Sequence, residues 1–162
     1  MDDSHYDVAQ ICEKGHVINS MARDYPNSNQ DYCDKCGAPT LMACPFCKTA
    51  IRGYYHVPGV TGFSNYNAPS FCYKCGKPFP WTAAALTAAQ ELADELDGLT
   101  DDERESLKKS LDELVCETPS TRVAETRFNR IMKKVGKDGY DSMRSILTDI
   151  VSETVRKTIF GP

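Results

Sequence analysis

Four pairs of potential metal ligands crowd the first half of this 162-residue chain: Cys12-x3-His16, Cys33-x2-Cys36, Cys44-x2-Cys47 and Cys72-x2-Cys75. Two residues between cysteines let one tight turn aim both sulfurs at a single ion about 2.3 Å away, with the flanking segments pairing as a hairpin. Glycine after the second cysteine relieves backbone crowding where the turn leaves the metal. Cys33-Asp34-Lys35-Cys36-Gly37 and Cys72-Tyr73-Lys74-Cys75-Gly76 follow that pattern. Cys44-Pro45-Phe46-Cys47 is followed instead by Lys48, and Cys12-Glu13-Lys14-Gly15-His16 is a longer turn with its glycine inside. Eight ligands make two tetrahedral sites, so the expected cofactor is two structural Zn²⁺ per chain.

Competing chemistries for such cysteines fit less well. A disulfide framework belongs to an oxidising compartment, and the acidic start Met1-Asp2-Asp3-Ser4-His5-Tyr6-Asp7 has no apolar core of a signal peptide, so the expected location is the cytoplasm. No run of 18 apolar residues predicts a membrane span. A catalytic zinc keeps an open fourth position, whereas here four ligands are available to each ion, and His16 lacks the nearby glutamate of a deaminase site. Two pairings are open. Sequential pairing puts Cys12, His16, Cys33 and Cys36 on one ion and Cys44, Cys47, Cys72 and Cys75 on the other, and a cross-braced scheme interleaves them. Loop-closure entropy favours the sequential scheme.

The elements that must position these ligands follow from a break in composition after Trp81. Residues 1–81 hold seven of the eight cysteines and all but three of the aromatic residues, Phe128, Tyr140 and Phe160 lying beyond. The expected architecture is therefore a small zinc-stabilised β module, a double zinc ribbon, over 1–81, followed by an all-α bundle of about four helices over 82–162. The join is Lys77-Pro78-Phe79-Pro80-Trp81-Thr82, stiffened by proline, with Trp81 available to pack against the helices.

In the second half, Thr82 serves as N-cap of a helix running to about Asp97, with Leu86, Ala89, Leu92, Ala93 and Leu96 on one face. Gly98 ends it. Thr100 and Glu103 form a capping box for a second helix with the face Leu107, Leu111, Leu114 and Val115. A third helix from about Ser120 groups Ala124, Phe128, Ile131 and Val135, and a long fourth, Tyr140 to Ile159, aligns Tyr140, Met143, Ile146, Leu147, Ile150, Val151 and Val155. That last stripe is the longest in the chain and offers a surface for a second copy. Cys116 projects away from the apolar face of the second helix, with no ligand partner near it in sequence.

Two surfaces are candidates for binding. The segment Ile51 to Tyr66 is rich in glycine, proline and asparagine and reads as a loop, on which Arg52, Tyr54, Tyr55 and Phe63 present side chains of the types that dominate interface hot spots. Arg122, Arg130, Lys133, Lys134 and Lys137 form a basic arc on the third helix, suited to a phosphate backbone. The net charge of −4 argues against a dedicated nucleic-acid binder, so a protein partner at the aromatic loop is the leading expectation and nucleic acid the alternative. His5 and His56 take no assigned role.

The residues Tyr6-Asp7-Val8-Ala9-Gln10-Ile11-Cys12-Glu13-Lys14-Gly15-His16-Val17-Ile18, the Cys44-Pro45-Phe46-Cys47 turn, Ile51-Arg52-Gly53-Tyr54-Tyr55-His56-Val57-Pro58-Gly59 and Cys75-Gly76-Lys77-Pro78-Phe79-Pro80-Trp81 together resemble an uncharacterised bacterial double zinc-ribbon family of about this length. The resemblance spans both halves and implies a bacterial, cytoplasmic protein, without implying an activity. No phosphate-binding loop, dinucleotide fingerprint, nucleophile elbow or HExxH pair is present, and the carboxylates of 91–105 read as a solvated helix surface. The function expected is that of a non-catalytic, zinc-binding interaction or adaptor protein.

Overall fold

The repeated metal-type turns leave room only for short strands between them. In the computed structural model, which describes residues 3–62 and 65–162, these are β1 (His5–Val8), β2 (Gln10–Cys12), β3 (Val17–Asn19), β4 (Thr40–Leu41) and β5 (Arg52–His56). β1 pairs antiparallel with β5, matching Tyr6 with Tyr55 and His5 with His56, while β2 lies between β3 and β4 in a second antiparallel sheet. The stretch expected as a loop is thus a strand over its first part. Tyr54 and Tyr55 are strong strand formers, the Tyr6 and Tyr55 rings meet at 4.7 Å across the pair, and the backbone N–H of Tyr54 donates to Ser20 at 2.7 Å. Irregular chain begins only after His56, where Pro58 and Gly59 follow.

The chain divides into two units, Met1–Thr82 and Ala83–Pro162. The core of the first is small: Ala9, Ile11, Cys44, Ile51, Cys72, Phe79 and Trp81, with Val17, Leu41 and Tyr66 against it. Trp81 belongs to this core. Its indole stacks on Phe79 at 4.6 Å and its N–H donates to the Pro69 carbonyl at 2.9 Å, which gives the buried ring its polar partner. Two polar side chains do the work of further core residues. Buried Asp7 accepts from the backbone N–H groups of Val8, Arg23 and Asp24, and Gln10 holds Gln30 by both its amide N–H and its carbonyl oxygen.

Five α-helices occur among the described residues: α1 (Pro80–Glu95), α2 (Asp101–Val115), α3 (Thr121–Met132), α4 (Lys137–Leu147) and α5 (Glu153–Phe160). α1 starts two residues before Thr82, because proline is accommodated in a first turn and the Thr82 hydroxyl is engaged elsewhere, donating to Ser70 at 2.8 Å. The Thr100/Glu103 capping box forms as the spacing requires. In the second unit Ala89 and Ala93 of α1 and Leu96 just after it are buried, as are Leu107, Leu111 and Leu114 of α2, Ala124, Phe128 and Ile131 of α3, and Met143, Leu147 and Val155 beyond. The expected long final helix is broken: Thr148 turns its hydroxyl back on the Arg144 carbonyl and Ser152 caps a new helix by accepting from the Val155 N–H. Ile150 and Val151 stay buried across the break, while Tyr140 and Ile146 of the same stripe are half-buried.

Candidate metal centres

Three of the four ligand turns are built alike. In each, the first cysteine's carbonyl accepts from the N–H four residues on, at 2.8 Å for Gly37, 2.9 Å for Lys48 and 2.8 Å for Gly76. Each first cysteine in turn donates its N–H five residues ahead, to Ala38, Thr49 and Lys77. The residue after the second cysteine sits in the left-handed region in all three, with φ of 73° at Gly37, 74° at Gly76 and 62° at Lys48. Lys48 therefore carries a backbone conformation that glycine adopts freely, and its ammonium donates to the Pro45 carbonyl at 3.0 Å across the turn. The Cys12–His16 turn differs: the Cys12 N–H donates to the His16 carbonyl at 3.0 Å, and Gly15, at φ 92°, lies against Trp81, where an added Cβ would come within 3.0 Å of the Trp81 Cβ and 3.2 Å of its ring.

These turns bring eight ligand atoms into two clusters, Cys12, His16, Cys33 and Cys36 in one and Cys44, Cys47, Cys72 and Cys75 in the other, with the atoms of each within 4.8 Å of one another. The grouping is sequential rather than cross-braced. A tetrahedron with Zn–S near 2.3 Å and Zn–N near 2.0 Å has edges of about 3.8 Å between sulfurs and about 3.5 Å between sulfur and nitrogen. The observed separations are 3.8 Å for Cys12–Cys36 and Cys44–Cys75, 3.6 Å for Cys47–Cys72, and 3.5 Å from His16 Nδ1 to both Cys12 and Cys33. Donor set and edge lengths thus fit one four-coordinate ion per cluster. Backbone N–H groups of His16 and Lys74 point at the Cys12 and Cys72 sulfurs at 3.3 and 3.4 Å.

The cysteines are not equivalent as acids. Hydrogen bonds from Thr49, hydroxyl first and then backbone, bring Cys47 down to about 6. Burial pushes Cys33 up, but the N–H groups of Lys35 and Cys36 outweigh it and leave the thiol at about 7. For Cys75 the Lys77 N–H pulls downward, and burial together with the neighbouring Cys72, Cys44 and Cys47 sulfurs wins, lifting it to about 11. Each cluster therefore holds both a ready thiolate and a reluctant one, and filling it with metal releases protons.

Elsewhere the structure sorts the other candidates. Tyr54 is a pin, its hydroxyl donating to Gly62 at 2.6 Å, as Tyr66 donates to the Arg52 carbonyl. Tyr55 and Arg52 are exposed, and the Arg52 guanidinium lies 3.7 Å from the Tyr73 ring and 4.7 Å from the Tyr6 ring. Phe63 lies outside the described residues. Tyr6 and Tyr73 were not picked out from the sequence, although the two inner positions of a ligand turn face solvent by geometry and mark Tyr73 as exposed. Of the basic arc, Lys134 pairs with Glu103, and Lys137 with Asp141 at 2.6 Å. Arg122, Arg130 and Lys133 are exposed, with Arg130 and Lys134 lining a cleft of ≈ 340 Å³ beside Asp102 and Glu103. Cys116 is exposed at the end of α2, where its carbonyl accepts from the Thr121 hydroxyl at 2.9 Å.

Small antiparallel sheets carrying two Cys/His tetrahedra, followed by helices, define a double zinc-ribbon module joined to a helical region. The chain belongs to the family described as "uncharacterized protein conserved in bacteria" (DUF2321), whose model matches residues 5–159 and so spans both units. No curated protein and no solved structure matches the chain. No helix among the described residues is long and apolar enough to cross a membrane.

Proposed function

We propose that this is a non-catalytic zinc protein that captures a protein partner on the aromatic face of its ribbon unit, with two structural Zn²⁺ ions holding that face in shape. The observation that carries the reading is the completeness of both clusters: with four protein ligands each, a bound zinc has no position for water or substrate and serves the fold. The reading includes a cytoplasmic location, since thiolate ligand sets persist where thiols are kept reduced. Tyr6, Arg52, Tyr55 and Tyr73 are all exposed on the same unit, although its core is too small to leave aromatic side chains unused without reason. A nucleic-acid role has less support, because Lys134 and Lys137 of the basic arc already face carboxylates of their own unit.

The test is affinity capture with the zinc-loaded full chain, followed by binding measurements on the partner identified. Tyr55→Ala together with Tyr73→Ala is expected to abolish binding with both metals retained, and charge reversal of Lys133 and Lys134 to leave it intact. Loss of binding through the lysine changes, with a steep salt dependence and sensitivity to nuclease, would replace the protein partner with nucleic acid.

A further inference from the structure

Between Lys35 and Gln90 the sequence has no aspartate or glutamate, while Lys35, Lys48, Arg52, Lys74 and Lys77 fall in that stretch. All five are exposed. The last four flank or face the turns of the four-cysteine cluster, so this face of the ribbon is basic and aromatic at once. Nothing acidic in that stretch answers the charge, and among the described residues Arg52 has no carboxylate partner.

The way the rings are used decides what such a face can recognise. A nucleobase platform needs an open ring face on which a base can lie. Here each ring is already engaged by a neighbour: Arg52 lies over Tyr73 at 3.7 Å and over Tyr6 at 4.7 Å, Tyr55 closes on Tyr6 at 4.7 Å, and the Lys77 ammonium sits 4.5 Å from the Phe46 ring. Arg52 is itself exposed, and the planar fork of N–H donors on its guanidinium is steadied by contact with two rings. A guanidinium fixed in that way has lost its rotamer freedom before binding and matches a carboxylate by two parallel hydrogen bonds.

Resting on the reading of this face as a protein-binding surface, we propose that Arg52, clamped between Tyr6 and Tyr73, is a receptor for a carboxylate side chain of an acidic peptide segment, with Lys48, Lys74 and Lys77 providing the surrounding positive field. The field attracts a glutamate- or aspartate-rich segment and speeds encounter, and the clamped fork supplies the directional contact. Tyr55, exposed against the Tyr6 ring, offers the apolar contact for the segment's neighbouring residues.

The experiment measures fluorescence anisotropy of a labelled oligoglutamate peptide with the zinc-loaded full chain, against a single-stranded oligonucleotide of equal charge and an oligolysine peptide. The oligoglutamate is expected to bind saturably and more tightly than the oligonucleotide, with no binding of oligolysine. Arg52→Lys, which keeps the charge and loses the fork, is expected to weaken it about tenfold, the scale of one charge-assisted hydrogen bond. Tyr73→Leu, which removes one side of the clamp at an exposed position, is expected to weaken it in the same direction, and it decides the matter if Arg52→Lys fails to retain two metals. Unchanged affinity in a metal-retaining variant overturns the proposal, as does failure of the oligoglutamate to bind or tighter, Arg52-dependent binding of the oligonucleotide. If a captured partner depends on Tyr55 and ignores Arg52→Lys, the carboxylate contact falls while the interaction reading stands. If oligoglutamate binds through Arg52 and no partner depends on Tyr55, the reverse holds.

Discussion

The two units of this chain are held together by different kinds of interaction, and the difference explains where their side chains are free to go. The helical unit buries leucine, phenylalanine, isoleucine, methionine and valine from α2 to α5 and Ala89 and Ala93 from α1, with the Phe128 and Phe160 rings edge to face at 5.8 Å. Among the described residues, the apolar cluster of the ribbon unit has seven members, two of them the ligand cysteines Cys44 and Cys72. A domain with so little apolar surface to bury needs cross-links, and an ion held in each of its two four-ligand clusters would supply them. Tyr6, Arg52, Tyr55 and Tyr73 are consequently not required inside and remain at the surface, whereas the apolar stripes of the second unit are mostly buried in its packing.

The largest effect that follows is on metal removal. Structural zinc in small modules contributes roughly 10 kcal/mol or more per site, so a strong chelator should unfold residues 1–82 and leave the helical signal of 83–162 largely in place. Circular dichroism with metal release followed in parallel checks this, with two metals expected per chain and fewer in Cys33→Ser. A simultaneous loss of all helix on chelation would erase the distinction between the units. The complementary change is Phe128→Ala, at a fully buried ring in α3. It is expected to cost about 3–5 kcal/mol and melt the helices, with both metals still bound at a temperature where the ribbon persists.

What the sequence made legible follows the same division. Ligand spacing is a local signal, and so is the Thr100/Glu103 capping box, so both were readable along the chain. The break between α4 and α5 was hidden because Ile150 and Val151 continue the apolar stripe through it. The Ser152-Glu153 pair, a helix-start signal, was outweighed by that periodicity. β5 was hidden by Gly53 within it and by Pro58 and Gly59 just after it, and its pairing with β1 depends on a partner far away in the chain. The clamp around Arg52 was illegible for the same reason: Tyr6 and Tyr73 come to it from opposite ends of the ribbon unit. Asp7 looks like any other acid of the N-terminal segment, and only the folded turn at Arg23 and Asp24 adds two donors to that of the neighbouring Val8.

Within the ribbon unit, the three like turns offer a finer comparison. Lys48 occupies a left-handed conformation that costs a side-chain-bearing residue roughly 1–2 kcal/mol, where its counterparts are Gly37 and Gly76. Lys48→Gly should strengthen metal retention by up to about 1 kcal/mol, the strain relief being offset in part by the entropy glycine gains in the unfolded chain. Gly76→Ala should weaken it by a similar amount. Competition with a chromogenic chelator reads both, and equal metal retention in the two variants would mean that the turn backbone does not set the stability of the four-cysteine cluster.

The smallest effect concerns the helical unit, where electrostatics only trim a stability set by packing. Glu103 is held below its ordinary value of 4.5, first by the hydrogen bond from Lys134 and then by the Thr100 backbone N–H, against a small opposing push from desolvation. A carboxylate depressed in the folded state adds stability above its unfolded value, and that contribution disappears as pH falls through the folded one. The helical unit should therefore lose melting temperature below about pH 4.5, and Glu103→Gln should flatten part of that slope while keeping an oxygen to accept from Thr100. Raising the salt concentration should shrink the difference between the two proteins, since Lys134 and Glu103 pair at the surface. The chelator-sensitive transition of the ribbon unit should be unaffected by this substitution. If Glu103→Gln instead lowers that transition, the two units share their stability, and the contrast between metal-held and packing-held halves is wrong at its root.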